Sequence, residues 1–218
     1  MPAIRLGTTA PDFSATTTEG KIESFHGWMG SDWWTILFSH PADFTPVCTT
    51  ELGEVARRQP DFLARKTKVI GLSCNDLASH QDWVKDINQV NGVQLAFPII
   101  ADSDRKIATL YDMLDEQDLT NRDNQGVPFT VRSVFIIDPK KKVRLMLQYP
   151  ASTGRHFDEI VRALDSLQLA DKHPVTTPAN WAPGNPVIVH PSVSTADAQK
   201  IFPNPIDHKT PYLRLTSL

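Results

Sequence analysis

The chain has 218 residues, of which 40% are apolar and 22% charged, and its formal net charge is -3. A chain of this length buries roughly 70% of its unfolded surface on folding, so a core needs neither disulfides nor metal. The composition argues against disordered or coiled-coil proteins, and the charge balance argues against a nucleic-acid protein with a basic face. Because no apolar run reaches the roughly 20 residues of a membrane span, and residues 1–7 lack a signal-peptide pattern, we expect a cytoplasmic protein without integral membrane association.

The first part of the chain alternates short apolar runs with amphipathic stretches. Three strands are predicted, at 33–38, 68–73 and 97–100. A helix from Pro46 or Val47, which Pro60 interrupts or restarts, follows the first strand, and a helix capped by Asp76 follows the second. After the third strand comes a helix capped by Asp102 or Ser103, with these apolar residues on one face: Ile107, Leu110, Tyr111 and Leu114. This order is typical of a β-α-β unit.

The second part begins with a predicted β-hairpin. Its strands are residues 131–137 and 143–149, joined by the turn 138–142, and the second strand is a candidate for the edge of the sheet. A helix follows, with apolar residues at helical spacing between Phe157 and Leu167. Together the elements predict the α/β class, with helices packed on the faces of a mixed sheet.

The composition changes near residue 170, since residues 171–218 hold eight of the 17 prolines. The segment still keeps large apolar side chains, including Trp181, Phe202 and Tyr212, which a solvated tail would not carry. We therefore predict a main domain over 1–170 and, over 171–218, an extended C-terminal arm or small C-terminal domain that packs on the core or on a partner chain. A partly ordered tail is the alternative.

Two cysteines, Cys48 and Cys74, are too few for a disulfide scaffold, and neither lies in a zinc-binding pattern. Cys48 falls in the first turn of a predicted helix, where the positive helix end and free N–H groups favour the thiolate. A free thiol of pKa near 8.5 is only about 3% ionised at pH 7, so such a setting decides reactivity. Cys74 ends a predicted buried strand, and Cys48 is therefore the candidate nucleophile.

Thr45 stands three residues before Cys48, where a thioredoxin-type motif carries its other cysteine. A hydroxyl cannot form a disulfide but can hydrogen-bond a substrate oxygen, which favours one-thiol chemistry. Pro41 is rigid and has no N–H, so it can form the wall of a pocket beside the sulfur.

The pattern Pro41-x-x-x-Thr45-x-x-Cys48 resembles the signature of peroxiredoxins, and its flanks resemble the one-cysteine, peroxiredoxin-6-type subfamily. The resemblance runs through nearly the whole chain, in the segments 6–13, 39–52, 85–88, 97–100, 149–160 and 212–214. It implies a thioredoxin-like fold and the reduction of peroxides, with no cofactor.

The resemblance also implies residue roles. Cys48 is the peroxidatic cysteine, which a peroxide converts to sulfenic acid. Thr45 and the Cys48 backbone N–H hold the peroxide oxygens beside Pro41, and Arg132 stabilises the thiolate and the leaving oxygen. The supporting candidates are three charged or titratable residues: Glu51, Arg155 and His40.

Reduction of the sulfenic acid requires a thiol. Residues 75–218 contain no cysteine, so Cys74 is the only intramolecular candidate. We expect an external thiol instead, and the subfamily resemblance implies glutathione, delivered with a glutathione S-transferase, with ascorbate or another thiol as alternatives. The same resemblance implies a homodimer in which the C-terminal arm crosses to the partner.

Two alternatives remain at the level of sequence. Some subfamily members hydrolyse phospholipids through a Gly-Asp-Ser-Trp-Gly motif, whereas this chain has Ser31 and Asp32 exchanged and Trp34 in place of the last glycine. His26 is present, and Lys140 occupies the position of the acid, with Asp138 nearby. An acyl hydrolase side activity and a non-catalytic role as a peroxide sensor or holdase are therefore the competing hypotheses.

Overall fold

The computed structural model describes residues 4–218. Residues 1–3, where the segment tested for a signal peptide begins, lie outside the described part. The backbone divides into two compact units, the first ending at Phe157 and the second running from Asp158 to Leu218.

The first unit is built on a seven-stranded mixed sheet. Its strands are β1 (Ala15–Thr17), β2 (Gly20–Ile22), β3 (Trp34–Ser39), β4 (Thr67–Ser73), β5 (Ile99–Ala101), β6 (Arg132–Ile137) and β7 (Val143–Tyr149), in the spatial order β2-β1-β5-β4-β3-β6-β7. Strands β3, β4 and β5 are parallel, whereas β6 runs antiparallel to β3 and to β7. The hairpin and the edge position of β7 confirm the sequence predictions.

Strand β3 lies in the middle of this sheet, and all six of its residues are buried. A strand covered on both faces is apolar at most positions, which explains the run Ile36–Phe38 at its centre, while Thr35 and Ser39 are buried polar residues. The core on one side of the sheet joins fully buried side chains of several elements: Phe25, Met29, Leu37, Ile70, Leu72, Ile100, Tyr111 and Met113.

Five helices accompany the sheet: α1 (Phe25–Met29), α2 (Pro46–Arg57), α3 (Gln59–Ala64), α4 (Leu77–Asn91) and α5 (Lys106–Leu110). Helix α2 ends at Arg57, and Pro60 lies in the first turn of α3, as predicted for a proline that restarts a helix. The carboxylate of Asp76 accepts from the backbone N–H of Ser79 at 2.8 Å and caps α4.

Helix α5 is shorter than its apolar pattern predicted. Its N-cap is Arg105, not Asp102 or Ser103 as predicted, although the Asp102 carboxylate accepts from the N–H groups of Ile107 and Ala108 in the first turn at 3.0 and 2.7 Å. The helix nevertheless ends at Leu110, because Asp112 takes a left-handed conformation with φ of +53°. The assignment of Leu114 to this helix is therefore wrong.

The second unit begins with helix α6 (Phe157–Lys172), whose first residue still belongs to the first unit. It continues with a four-stranded sheet in the order β10-β11-β9-β8 and one further helix. These elements are β8 (Val175–Thr176), β9 (Val187–Val189), α7 (Thr195–Ile201), β10 (Asp207–His208) and β11 (Arg214–Thr216). Trp181 and Phe202 are buried in its own apolar cluster, so the region is a small C-terminal domain rather than a partly ordered tail.

The division between the units falls after the first residue of α6, earlier than the boundary predicted at residue 170. Dimer association of residues 171–218 stays a prediction. Along residues 4–218, no helix combines the length and the apolar character that crossing a bilayer requires.

Candidate active site

Cys48 is the third residue of α2. Thr45 is the N-cap, with extended backbone angles, and Pro46 opens the first turn, where its missing N–H costs nothing. The sulfur therefore lies at the positive end of a 12-residue helix. Cys48 is completely buried and is a free thiol.

Arg132 is the first residue of β6, and its guanidinium reaches the sulfur. Its Nη1 donates to the Sγ of Cys48 at 3.3 Å. Its Nε and Nη2 donate to the backbone oxygen of Ala151 at 3.0 and 2.7 Å. Because β6 pairs with β7, the chain leaving β7 returns to Arg132 and fixes its guanidinium plane.

Glu51 lies one turn after Cys48 on α2 and links two arginines. Its Oε2 accepts from Arg132 Nη1 and Arg155 Nη2, both at 2.7 Å. Its Oε1 accepts from the backbone N–H and the Nε of Arg155 at 2.7 and 3.0 Å. Burial alone would raise the pKa of Glu51, but the charge and hydrogen bonds of Arg155 outweigh it and lower that pKa.

Arg155 is held on its other side by the sheet. Its Nη1 donates to the backbone oxygens of Ser39 and Ser133 at 2.8 and 3.1 Å, and its guanidinium lies 5.1 Å from the ring centroid of Phe38. With Cys48 as thiolate, the two guanidinium groups, the carboxylate and the sulfur sum to zero formal charge. This balance explains how four ionisable groups share a buried site.

An open cavity of about 390 Å³ lies above this network. It is lined by residues of the loop after β3, the start of α2, the segment 118–129 and the β6–β7 hairpin: Pro41, Ala42, Thr45, Pro46, Val47, Asp118, Thr120, Asn121, Phe129, Arg132 and Ala151. Cys48 is not itself in the lining, and its sulfur lies beneath, 3.3 Å from Arg132 Nη1. The hydroxyl of Thr45 donates to Ala42 O at 2.9 Å, so its oxygen is available as an acceptor.

His40 belongs to a neighbouring cluster rather than to the sulfur. Its Nε2 lies 3.0 Å from Asp43 Oδ1, and the Nδ1 of His80 lies 2.7 Å from Asp43 Oδ2. Burial lowers the pKa of His40 against the opposing effect of the Asp43 hydrogen bond. Ligand atoms of these three side chains lie within 4.8 Å of one another, but the short nitrogen–oxygen pairs are those of a hydrogen-bonded cluster.

Cys74 is buried at the end of β4, and burial raises the pKa of its thiol to about 12. A thiol of this kind is neutral and unreactive at physiological pH. Its position agrees with the prediction that it is not the resolving cysteine.

The candidate hydrolase residues are engaged elsewhere. The Nε2 of His26 lies 2.7 Å from Ala10 O, and Asp138 accepts from Lys142 N and from Arg144 Nη1 at 2.9 and 3.2 Å. Ser31 is exposed, and no hydrogen bond recorded for residues 4–218 joins it to His26. The nucleophile–base contact that a serine hydrolase needs is therefore missing in the described chain.

Sequence reasoning missed three contributors to this region. Asp43 stands inside the recognised motif but was given no role, although its position between Pro41 and Thr45 was a usable signal. His80 and Asp118 carry no local pattern, because only the tertiary fold brings them to the loop after β3 and to the cavity.

Comparisons with known proteins agree with this site. The AhpC/TSA family model matches residues 6–146, and the model for the C-terminal domain of 1-Cys peroxiredoxin matches residues 166–204. Peroxiredoxin-6 of Gallus gallus is 49% identical over 225 residues, covering 99% of this chain and 98% of the relative. The crystal structure of a mutant of the Peroxiredoxin 6 of Arenicola marina superposes with a TM-score of 0.93 at 46% identity, covering 99% of this chain and 98% of that one.

One comparison corrects the predicted location. "Peroxiredoxin PRX1, mitochondrial" of Saccharomyces cerevisiae is 49% identical over 217 residues, which are 99% of this chain and 82% of the relative. The prediction of a cytoplasmic location is therefore wrong, because composition and an unremarkable first segment do not determine the compartment of a protein of this kind.

Proposed function

Since the chain belongs to the AhpC/TSA family, and within it to the one-cysteine, peroxiredoxin-6-type peroxiredoxins, we propose that Cys48 is the peroxidatic cysteine of this thiol peroxidase. The observation that carries the assignment is the 3.3 Å contact between Arg132 Nη1 and Cys48 Sγ, at the floor of a cavity open to solvent. A guanidinium and a helix N-terminus together stabilise a thiolate, which is the nucleophilic form of cysteine.

The reaction at Cys48 follows from this geometry. The thiolate attacks one oxygen of the hydroperoxide, an S–O bond forms and the O–O bond breaks. The distal oxygen stays on sulfur as sulfenic acid, and the leaving oxygen takes up a proton and departs as water or an alcohol. Arg132 and the N–H of Cys48 stabilise the charge that develops on the oxygens.

Thr45 and Pro41 hold the substrate in this scheme. Because the hydroxyl proton of Thr45 is used on Ala42 O, its oxygen accepts the O–H of the peroxide and orients it toward the sulfur. Pro41 and Val47 form an apolar part of the cavity wall. Glu51 and Arg155 hold the guanidinium of Arg132 in place, and His40 acts through Asp43 on the loop that carries Pro41 and Thr45.

The size of the cavity supports a range of substrates. A volume of about 390 Å³ is of the order of small-molecule binding sites and far exceeds the roughly 30 Å³ occupied by one water molecule. Hydrogen peroxide and organic hydroperoxides, including phospholipid hydroperoxides, are the proposed substrates.

Resolution by an external thiol completes the cycle. The incoming thiol expels the sulfenic oxygen as water and forms a mixed disulfide with Cys48, and a second thiol then releases Cys48. We propose glutathione, delivered with a glutathione S-transferase. Because Cys74 is buried and neutral, it is a poor internal thiol for this step. A solved structure of a yeast mitochondrial 1-Cys peroxiredoxin also supports an external thiol, since it is described as resolving its thiol via glutathione/thioredoxin systems. That structure has a TM-score of 0.88 and 46% identity, and the match covers 99% of this chain and all of that one.

We also propose a homodimer. Strand β7 lies at the edge of the seven-stranded sheet, and edge strands pair readily with another chain. In the proposed dimer the C-terminal segment 171–218 contacts the partner.

Intact mass spectrometry after one equivalent of hydrogen peroxide, with dimedone present, tests the assignment. The wild type and Cys74→Ser should each gain a single dimedone adduct, and Cys48→Ser should gain none. A loss of about two protons without an adduct would identify an internal disulfide, and an unreactive wild type would reject the peroxidase assignment.

A further inference from the structure

The carboxylate of Asp43 is the centre of a buried hydrogen-bond cluster beside the active site. Its Oδ1 faces the Nε2 of His40 at 3.0 Å, and its Oδ2 accepts from Ser79 Oγ at 2.7 Å and faces His80 Nδ1 at 2.7 Å. The backbone N–H of Asp43 donates to Asn75 Oδ1 at 3.0 Å. Groups from the end of β3, the end of β4 and the start of α4 therefore meet on one residue.

His80 extends this cluster to the sheet. Its Nδ1 faces Asp43 Oδ2 and its Nε2 faces the backbone oxygen of Ile100 at 3.1 Å, and both partners are acceptors. His80 therefore links the Asp43 carboxylate to the backbone of β5 through its two ring nitrogens. Both side chains are fully buried, and a hydrogen bond is stronger in such a low-dielectric setting than in water.

Asp43 lies in the middle of the turn that forms the peroxide-binding wall. Pro41 and Thr45 flank it by two residues on each side, and both line the cavity. The next residue, Phe44, has φ of +54° and a side chain that is 55% exposed. A bulky residue in the left-handed region persists only where surrounding contacts enforce it, and the Asp43 cluster is immediately adjacent.

We propose that the Asp43–His80 pair positions the turn 41–45 over Cys48, so that His80 is a positioning residue for peroxide reduction without touching the peroxide. The inference rests on the proposed role of Cys48. Loosening the pair moves the Thr45 oxygen and the Pro41 wall, while the contacts of Cys48 with Arg132 and with the helix end stay as they are.

Two rate constants measured on the same protein separate positioning from general damage. The first is for Cys48 with hydrogen peroxide, which requires the oriented turn. The second is for Cys48 with iodoacetamide, which requires a reactive and accessible thiolate but no oriented peroxide. The variants are His80→Leu, which removes both ring nitrogens, and His80→Asn, whose amide nitrogen places a donor near the Nδ1 position. Ser79→Ala removes one bond to Asp43 with little risk to folding, and His173→Asn is a control at an exposed histidine.

We expect His80→Leu to lower the peroxide rate constant about tenfold to a hundredfold and Ser79→Ala about threefold, with alkylation changed less than about twofold. His80→Asn should recover part of the loss, and His173→Asn should equal the wild type. Unchanged peroxide rates in both His80→Leu and Ser79→Ala would overturn the proposal, as would a parallel fall of both reactions. If His80→Leu does not fold, the peroxide rate constant of Ser79→Ala alone tests the positioning role. A wild-type protein that does not react with peroxide would instead reject the function proposed for Cys48.

Discussion

Arg155 donates three hydrogen bonds to the carboxylate of Glu51, from its backbone N–H at 2.7 Å, its Nε at 3.0 Å and its Nη2 at 2.7 Å. The remaining contact of that carboxylate is with Arg132 at 2.7 Å, and the same Nη1 atom of Arg132 touches the sulfur of Cys48. Arg155 thus orients the arginine at the sulfur through Glu51, although it lies 107 positions after the cysteine along the chain.

This chain of contacts predicts a kinetic effect of Glu51→Gln. The amide has only one oxygen for donors from two arginines, so Arg132 loses its fixed orientation. We expect the rate of reaction with hydrogen peroxide, followed by stopped-flow tryptophan fluorescence, to fall about tenfold or more. Glu54→Gln is the matched control on the same helix, where the carboxylate pairs with Arg57 and Arg58 at the surface. Equal rates in both variants would contradict the positioning role of Glu51.

The buried carboxylates also predict how stability depends on pH. The pKa values of Asp43 and Glu51 are both lowered in the folded protein from their ordinary values of 3.8 and 4.5, because hydrogen bonds and charges from the histidines and arginines outweigh the opposing effect of burial. A lowered folded pKa stabilises the fold fully above the unfolded pKa, and this contribution is lost progressively as the pH falls below 4.5 and 3.8 toward the lower pKa values of the folded state.

Urea unfolding between pH 3.5 and 7 measures this dependence. The free energy of unfolding should fall steeply below about pH 5, and the fall should be shallower in Asp43→Asn than in wild type. Glu23→Gln, at an exposed carboxylate paired only with Lys21, should keep the wild-type slope. If the free energy of unfolding of Asp43→Asn falls with pH as steeply as that of the wild type, Asp43 does not contribute to the pH dependence of stability.

Asp118 predicts a charge preference among substrates. Its carboxylate lines the cavity, and hydrogen bonds from Thr120 at 2.6 and 2.8 Å hold its pKa below the ordinary value, so it is ionised. Because the groups beneath sum to zero charge with Cys48 as thiolate, Asp118 leaves the mouth of the cavity unfavourable to anions.

We therefore expect Asp118→Asn to raise kcat/KM for a fatty-acid hydroperoxide about threefold to tenfold relative to its methyl ester, with less effect at high salt. Glu116→Gln is the control, since Glu116 is exposed and does not line the cavity. If the ratio of kcat/KM for the acid to kcat/KM for the ester is unchanged in Asp118→Asn, the carboxylate does not influence the choice between charged and neutral substrates.

The contact between α2 and α4 predicts a stability effect at Gly53. A Cβ added there would collide with the side chain of Asn91, whose Nδ2 donates to Thr49 O and Ile87 O at 3.1 and 3.0 Å. Gly53→Ala should cost about 1–3 kcal/mol from overpacking, partly offset by about 1 kcal/mol of helix propensity.

A double-mutant cycle with Asn91→Ala checks this by urea unfolding. The cost of Gly53→Ala should disappear in the Asn91→Ala background, because the colliding amide is gone. Gly27→Ala is the control, since its added Cβ would meet only ordinary contacts at 3.6 Å. Additive effects of the two substitutions would contradict the proposed collision.

The sequence alone was enough to predict the α/β class, the helix start before Cys48 and the hairpin of β6 and β7. These features depend on signals between near neighbours, such as Pro46 in a first helical turn or the turn residues 138–142, which act whatever the rest of the chain does. The length of α5 was not predictable in this way, since its apolar spacing continues to Leu114 while the backbone turns at Asp112.

Apart from the role that the family resemblance implied for Arg132, only the tertiary structure decided which side chains meet. Cys48 and Arg132 are 84 positions apart, Glu51 and Arg155 are 104 apart, and Asp43 and His80 are 37 apart. Their contacts arise because parallel β3 and β4 end at the same edge as antiparallel β6 begins, which places the following loops and helix starts together. Local sequence supplied the reactive cysteine, and the packing of the sheet supplied the charges that orient its reaction, because electrostatic and hydrogen-bond partners are selected by distance in space rather than along the chain.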